Sequence, residues 1–427
     1  MVTVTDTVPG PAALDATRPS ERPATKPPTR ALHGFALNAA LASMALGGFA
    51  IGTTEFVTMG LLPQIAHGVH VGIPQAGHVV SAYALGVVVG APTIATLAAK
   101  LPRKGLLIAL MIAFAVFNTA SALAPNFGTL LVARFLSGLP HGAFFGIASV
   151  LAAGLVDKER RTWAVAMILS GLTVANIVGV PASTLIGQDL GWQWPYAGVG
   201  VIAALTALAV WRWVPHQHTD TAANAGSELA ALRLPQVWLA LGIGTVGFGG
   251  MFATFSYIAP TLTHLTGVHD GVVPLFLVCY GVGMTTGAFA SGRVARIGLL
   301  RGILLSLVLI TGLLFAFGPM VHTVPGAVAA VFLLGFVGTL LVPMLQTRLM
   351  DVARDGQALA AALNHSTLNL ANALGAWVGG LVLSQGLGYE WPSRVGAFLA
   401  VGGIAITAVS AVAGRRTARN AVAARPA

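Results

Sequence analysis

A chain of 427 residues that is 56% hydrophobic and only 8% charged is not an ordinary soluble protein, because soluble domains carry about 25% charged residues. With a mean hydropathy of +0.82, it has the composition of a chain that crosses a bilayer many times. The net charge of +10 would suit a nucleic-acid binder, but the placement of the basic residues excludes that reading.

The first 33 residues are rich in Pro, Thr and Ala and have no apolar core, so they predict a disordered cytoplasmic tail, not a cleaved signal. Twelve apolar spans follow, at about 35–62, 75–98, 105–124, 128–153, 163–187, 194–214, 236–258, 272–292, 299–320, 324–348, 357–385 and 392–413. Each can cross a hydrocarbon core of about 30 Å at about 1.5 Å per residue. Of the 23 Lys and Arg residues, all but Arg134 and Arg394 fall in gaps that alternating spans place on one side. Loops 63–74, 188–193 and 259–271 contain none. The positive-inside rule then puts both termini in the cytoplasm.

Span 1 holds Gly52-Thr53-Thr54-Glu55-Phe56, and Glu55 is the one of 13 acidic residues that lies well inside a span. It sits roughly 11 Å below the outer break at Pro63. Span 4 holds Arg134 at a similar depth, counted from Ala124-Pro125-Asn126. A charge at a span centre costs about 2.5–3.5 kcal/mol on insertion scales, so the two are expected to pair or to face water. A static structural pair is one reading. The other makes Glu55 a proton carrier whose affinity depends on Arg134 and on bound substrate, since low dielectric favours a neutral carboxyl group and a guanidinium favours the ionised one. Gly138, His141 and Gly142 share the helical face of Arg134. His141 would either relay protons or serve helix packing beside the kink at Pro140.

Span 5 reads Gly171-x-x-x-Ala175-Asn176-x-x-Gly179-Val180-Pro181, a ridge of small residues ended by a proline bend. Residues 215–235 form a polar cytoplasmic linker, and 414–427 a basic cytoplasmic tail. Cys279 stands alone in span 8 and reads as a packed core residue. His78 and His365 read as hydrogen-bonded packing residues, and no pair of histidines has metal-ligand spacing with a carboxylate, so no metal site is expected. Span 11, with Asn364, His365, Ser366, Asn369 and Asn372, is polar enough to line a wet cavity. Tyr83, Asn118, Asn176, Tyr257, Gln346, Asn369 and Trp377 are candidate cavity-lining residues.

Shifting the sequence by 197 residues carries Pro63 to Pro260, Tyr83 to Tyr280, Gly86 to Gly283, Gly138 to Gly335 and Trp194-Pro195 to Trp391-Pro392. The chain is therefore read as two parallel six-helix halves, 34–214 and 236–413, an arrangement suited to rocking about a midplane site. Glu55 and Arg134 map onto Phe252 and Val331, which assigns any proton chemistry to the first half.

These motifs resemble the major facilitator superfamily, and within it the bacterial drug:proton antiporter-type carriers near the arabinose efflux permease and sugar efflux group. The resemblance rests on Thr54-Glu55-Phe56 with Leu62-Pro63, on the run Ser81 to Pro92, on Arg134 to Gly142 and on Gly179-Val180-Pro181. It implies an all-α membrane protein of the bacterial inner membrane, driven by protons without a cofactor, exporting a small organic solute by alternating access and working as a monomer. The proton-coupling arginine of the family matches Arg134, and its antiporter motif matches Gly171, Gly179 and Pro181, with Val180 interrupting the usual Gly-Pro pair. The loop 2–3 signature keeps Lys100, Arg103 and Lys104 as cytoplasmic-gate candidates but has Ala99 and Pro102 where Asp and Gly are common. A proton symporter importing a metabolite, or a membrane sensor that no longer transports, are the competing readings. An enzyme is not expected, because no cluster of His or carboxylates gathers at one membrane face.

Overall fold

The computed structural model describes residues 34–97, 101–157, 160–216, 231–353 and 357–423. The predicted N-terminal tail, most of the linker and Lys100 lie outside them. Among the described residues, twelve helices are long and apolar enough to span a membrane. They are α1 (Gly34–Gly60), α2 (His78–Leu97), α3 (Arg103–Ala122), α4 (Phe127–Gly154), α5 (Arg161–Val174, continued by Val180–Leu190) and α6 (Gln193–Trp213) in the first half. The second half contributes α7 (Pro235–Phe255), α8 (Val273–Val294), α9 (Leu299–Met320), α10 (Val324–Ala353), α11 (Gln357–Ser384) and α12 (Trp391–Ala423). The final helix runs about two and a half turns past the predicted end of span 12, because nothing in 414–423 breaks a helix.

Each half packs the same way. In the first, α2 lies on α4, α1 on α5 and α6, and α3 on α4 and α6; in the second, α8 lies on α10, α7 on α11 and α12, and α9 on α10 and α12. The sequence repeat extends to individual contacts. Gly86 meets the Phe135 carbonyl and Gly138 meets that of Tyr83, while Gly283 meets the carbonyl of Phe332 and Gly335 that of Tyr280. All four partners differ by the same 197 positions. A Cβ at any of these glycines would overlap a backbone oxygen, so α2 and α8 can cross their partners only where glycine stands. Gly283→Ala is expected to destabilise the second half by about 1–3 kcal/mol through overpacking. A thermal-unfolding series in detergent would read this, and an unchanged midpoint would contradict the contact.

The halves meet chiefly through α2 on α11 and α5 on α8, two contacts that the repeat interchanges. The described contacts crest toward the end that carries the Lys/Arg-poor loops. There Ser81 donates to the Ala373 carbonyl at 3.1 Å. Tyr257, fully buried, is wedged between Gly77 of one half and Gly379 and Gly380 of the other. Midway along, Gly281 packs on the backbone of Asn176 and Ile177.

That contact falls on an irregular turn in α5. Residues Ala175–Gly179 form a π turn in which the Val180 N–H reaches the Ala175 carbonyl, five residues back. Pro181 follows directly; it has no N–H to give and its ring cannot share space with the carbonyl four residues earlier. The predicted bend is thus a widened turn, stacked between α1 and α8. Pro140, by contrast, sits inside an uninterrupted α4.

Candidate functional site: a buried arginine beside an open carboxylate

The start of α4 fixes the depth of Arg134. Asn126 accepts from the Thr129 N–H at 3.0 Å and Thr129 returns the bond to the Asn126 N–H at 3.3 Å, closing the helix end. Arg134 follows two turns later and is 0% exposed. Its guanidinium donates to the Thr54 hydroxyl at 3.0 Å and the Thr54 carbonyl at 3.1 Å. Longer contacts of 3.5 Å reach Thr58 and Ser137. The rings of Tyr83 and Tyr196 lie 4.3 and 4.9 Å from the guanidinium carbon, one of them on α2 and the other on α6. Desolvated cation–π contacts of this kind are worth about 2 kcal/mol each. Nε has no partner.

The supporting shell is equally defined. Thr54 donates to Asn118 Oδ1 at 2.7 Å, and Asn118 donates to the Phe114 carbonyl at 2.8 Å. Thr58 shares a hydrogen bond of 2.8 Å with the Tyr196 hydroxyl. Asn118 is therefore a link in the arginine cradle, fully enclosed, and not a wall of a cavity.

Glu55 is adjacent in the chain but differs in setting. It is 8% exposed. No ion pair joins it to Arg134; the ion pairs among the described residues are those of His322 and Arg394 with Glu390. Glu55 forms no hydrogen bond among the described residues and keeps only a sliver of surface. Arg134, Tyr83 and, from the other half, Tyr280 lie within its electrostatic range. The expectation that the two charges pair or face water is thus corrected for Arg134: its guanidinium is packed in protein and bonded to Thr54, and Glu55 is left unpaired with a sliver of surface. The physical reason is Thr54, which captures the guanidinium with both its hydroxyl and its carbonyl, leaving Glu55 one residue further round the helix.

The arginine cradle continues toward the second half. The Tyr83 hydroxyl lies 3.0 Å from His141 Nδ1. The His141 ring meets Phe145 edge-on at 5.6 Å, and Phe145 stacks parallel on His365 at 5.6 Å. His141, the histidine of α4, and His365, the histidine of α11, therefore face one another through a single phenyl ring. The sequence reads His365 as a hydrogen-bonded packing residue on a polar span; only the α4–α11 approach reveals the connection.

Gly171 and Gly179 press α5 against α1, the first on the Ala45 carbonyl and the second on Thr53 and Phe49. Pro181 is buried beside them. The other candidates divide. Asn176 is buried and donates to the Leu172 carbonyl at 2.9 Å. Asn369 donates to the His365 carbonyl at 3.2 Å and its oxygen is buried without a partner. Asn364, Ser366 and Asn372 add four more unpartnered buried atoms, so α11 presents five on one helix. Gln346 is half-buried and forms no hydrogen bond among the described residues. Trp377 is 52% exposed and shares an outward stripe with Leu370 and Leu381. It lies on the apolar outer face of α11, not in the cavity, because its position is out of phase with the asparagines. Tyr257 donates to the Ala376 carbonyl at 2.8 Å and plugs the seam between the halves instead of lining a cavity.

Lys104, expected at a gate, donates to the Trp211 carbonyl at 2.8 Å. It ties α3 to the C-terminal end of α6 within one half, where a cation meets the free carbonyls of a helix end. Arg103 is half-buried and forms no hydrogen bond or ion pair among the described residues. A latch between the halves stands at the opposite end, where sequence reasoning did not look. Gln64 donates to Asp270 Oδ2 at 3.3 Å and Gln188 to the Asp270 carbonyl at 2.9 Å. Hydrogen bonds to a charged group are worth about 1.5–3 kcal/mol, less where exposed. Asp270→Ala, with Cys279→Ser and Thr184→Cys, is expected to raise labelling of the buried Thr184 position by an impermeant maleimide about tenfold. Unchanged labelling would show that the latch carries no closing energy.

Arg394, the other cation outside the basic loops, is neutralised in place. It pairs with Glu390 one turn back, and Glu390 also meets His322 at 2.7 Å.

Two six-helix halves related by an internal repeat, closed at one end around a lone carboxylate and a buried arginine, define a membrane carrier. The family model described as Major Facilitator Superfamily matches residues 44–356. The chain is 40% identical over 367 residues to the inner membrane transport protein YdhP of Escherichia coli (strain K12), covering 85% of this chain and 94% of that protein. It is 34% identical over 363 residues to the putative transporter AraJ of the same strain, covering 84% and 91%. With the chloramphenicol resistance protein of Streptomyces lividans it shares 32% over 362 residues, covering 82% and 91%. For the fold alone, the crystal structure of a D-xylose-proton symporter superposes with a TM-score of 0.66 at 16% identity, over 87% of this chain and 97% of that one. The chain belongs to the Major Facilitator Superfamily, in its arabinose-efflux-like group. It is a multi-pass membrane transporter and not an enzyme.

Proposed function

We propose that this carrier exports a small, neutral or weakly polar organic solute in exchange for protons across a bacterial inner membrane, with its basic loops and both termini in the cytoplasm. The observation that carries the proposal is Glu55: a single carboxylate deep in α1, unpaired among the described residues, and set beside a positive charge held in place by Thr54. A carboxyl group so placed binds a proton when the space around it is dry and releases it when water enters or solute displaces it. Arg134 acts through position. Its guanidinium is anchored to the Thr54 carbonyl, one residue from Glu55, so the charge keeps its place beside the carboxyl group while the halves move.

The α11 asparagines suit the solute side. Three of their unpartnered atoms are carboxamide oxygens, covered in this state, which would match hydroxyl or amide N–H donors once the halves part. Two relatives, named a chloramphenicol resistance protein and a probable sugar efflux transporter of Helicobacter pylori, support a reading as an exporter of small organic solutes. The Gly171–Gly179 ridge of α5 belongs to the half that also holds Glu55, and the π turn gives that helix a place to flex as the halves rock.

The test uses cells with and without the protein, challenged with chloramphenicol, toxic sugar analogues and nucleosides, each with and without a protonophore. Export predicts lower accumulation of at least one compound and loss of that effect with the protonophore. Raised accumulation instead would indicate import by symport, and binding without flux in vesicles would indicate a sensor.

A further inference from the structure

Away from the seam between the halves, α9, α10 and α12 enclose a cleft of about 530 Å³ lined by Leu300, Arg301, Leu304, Arg348, Thr407, Ala408, Ala411 and Gly414. It lies toward the Lys/Arg-rich end, in the first two turns of α9, near the end of α10 and in the part of α12 that precedes its 415–423 extension. Two of its eight lining residues are arginines, and the remainder are apolar, small or self-bonded: the Thr407 hydroxyl is already committed to the Gly403 carbonyl at 2.8 Å.

The arginines differ in how they are held. Arg301 is exposed. Arg348 is partly buried and anchored, donating at 3.0 Å to Gln236 Oε1, which also accepts from Ser410 at 2.7 Å. The Nε of Arg348 is covered and has no partner in the protein. Asp351, one turn further along α10, is the acidic group within electrostatic range of Arg348, and it is exposed. Against it stand Arg301 and Arg348 in the cleft, and the sequence places Arg415 and Arg416 directly after Gly414. The cleft thus sets two arginines beside an apolar wall of Leu300, Leu304, Ala408 and Ala411.

We propose that this cleft binds an anionic phospholipid, its phosphodiester held by Arg301 and Arg348 and an acyl chain laid along Leu300, Leu304, Ala408 and Ala411. Basic pockets between spanning helices on the cytoplasmic side hold such headgroups, and each surface cation contributes about a fivefold preference for anionic lipid. Arg348 suits this role better than a lysine would, because its planar fork presents two donors to one phosphate. The anchor through Gln236, at the start of α7, ties the bound headgroup to three helices of the second half, so the lipid would brace that half against the bilayer while the other moves. This inference does not depend on the direction of transport or on the solute.

The experiment is native mass spectrometry of the full-length protein in detergent, titrated with phosphatidylglycerol or with phosphatidylcholine of the same acyl chains. The wild type should retain phosphatidylglycerol preferentially. Arg301→Gln with Arg348→Gln should lower that preference about 25-fold. Arg103→Gln, a charge loss of the other half, should leave it unchanged. Ala411→Phe, which fills the cleft and keeps both arginines, should also abolish it, and serves if the double variant does not fold. Equal retention of the two lipids by the wild type overturns the proposal, as does an equal loss in Arg103→Gln. Displacement of bound lipid by millimolar inorganic phosphate would assign the arginines to a free-phosphate site and overturn it too.

Discussion

Glu55→Gln is expected to remove gradient-driven accumulation while leaving solute exchange intact. A proton crossing one pH unit releases about 1.4 kcal/mol, enough for a tenfold solute gradient, and a membrane potential adds about 2.3 kcal/mol per 100 mV for each charge moved. A carrier that returns one proton per solute can therefore build a gradient of about tenfold for each pH unit. Glutamine has the shape of a protonated glutamic acid but never releases a proton. The variant should still fold, since Glu55 makes no hydrogen bond or ion pair that the substitution would break. It should equilibrate labelled solute across vesicles and accumulate none. The same measurement separates the two readings of the carboxylate, because a purely structural role predicts unchanged accumulation.

Arg134 should behave in the opposite manner, with stability and transport lost together. Arg134→Ala deletes four hydrogen bonds and empties the space between Tyr83 and Tyr196. It takes the Arg134 donor from the Thr54 carbonyl and hydroxyl in a fully buried place. Breaking a buried charged arrangement by removing one member costs about 3–5 kcal/mol. Arg134→Lys keeps the charge but not the planar fork that bonds the Thr54 hydroxyl and carbonyl together while lying between two rings. It should cost less stability, about 1–3 kcal/mol, and still disable coupling, because the charge is no longer fixed relative to Glu55. Thermal unfolding and proton-driven flux measured on both variants decide this. If the lysine variant transports as well as the wild type, charge alone suffices and the clamp geometry is irrelevant.

The sequence made the scaffold readable because bilayer physics leaves few options. Length and hydropathy define the spans, and the 197-residue repeat forecasts the pairing of helices down to Gly86 with Phe135 and Gly283 with Phe332. Glu55 and Arg134 stood out because charges at that depth are rare. Their relationship was not readable. Equal depth says nothing about which way a side chain turns around its helix, and Thr54, an unremarkable residue in the sequence, decides that the arginine binds the backbone of α1 and leaves the carboxylate free. Trp377, Tyr257 and Asn118 failed as cavity residues for a related reason: residue type suggested a lining role, but helix phase and the neighbouring half set where each points. The Asp270 latch escaped notice because Gln64, Gln188 and Asp270 lie in three separate loops or helix ends, and the contact exists only when the halves close.

The central claim is that a proton on Glu55 is exchanged for solute. The most direct measurement is proton release from purified protein in weakly buffered detergent solution, followed by a pH indicator as chloramphenicol or another exported compound is added. The account predicts release approaching one proton per carrier on solute binding, absent from Glu55→Gln and present in the Asp270→Ala variant. Solute binding that releases no proton from the wild type, or the same release from Glu55→Gln, would contradict it.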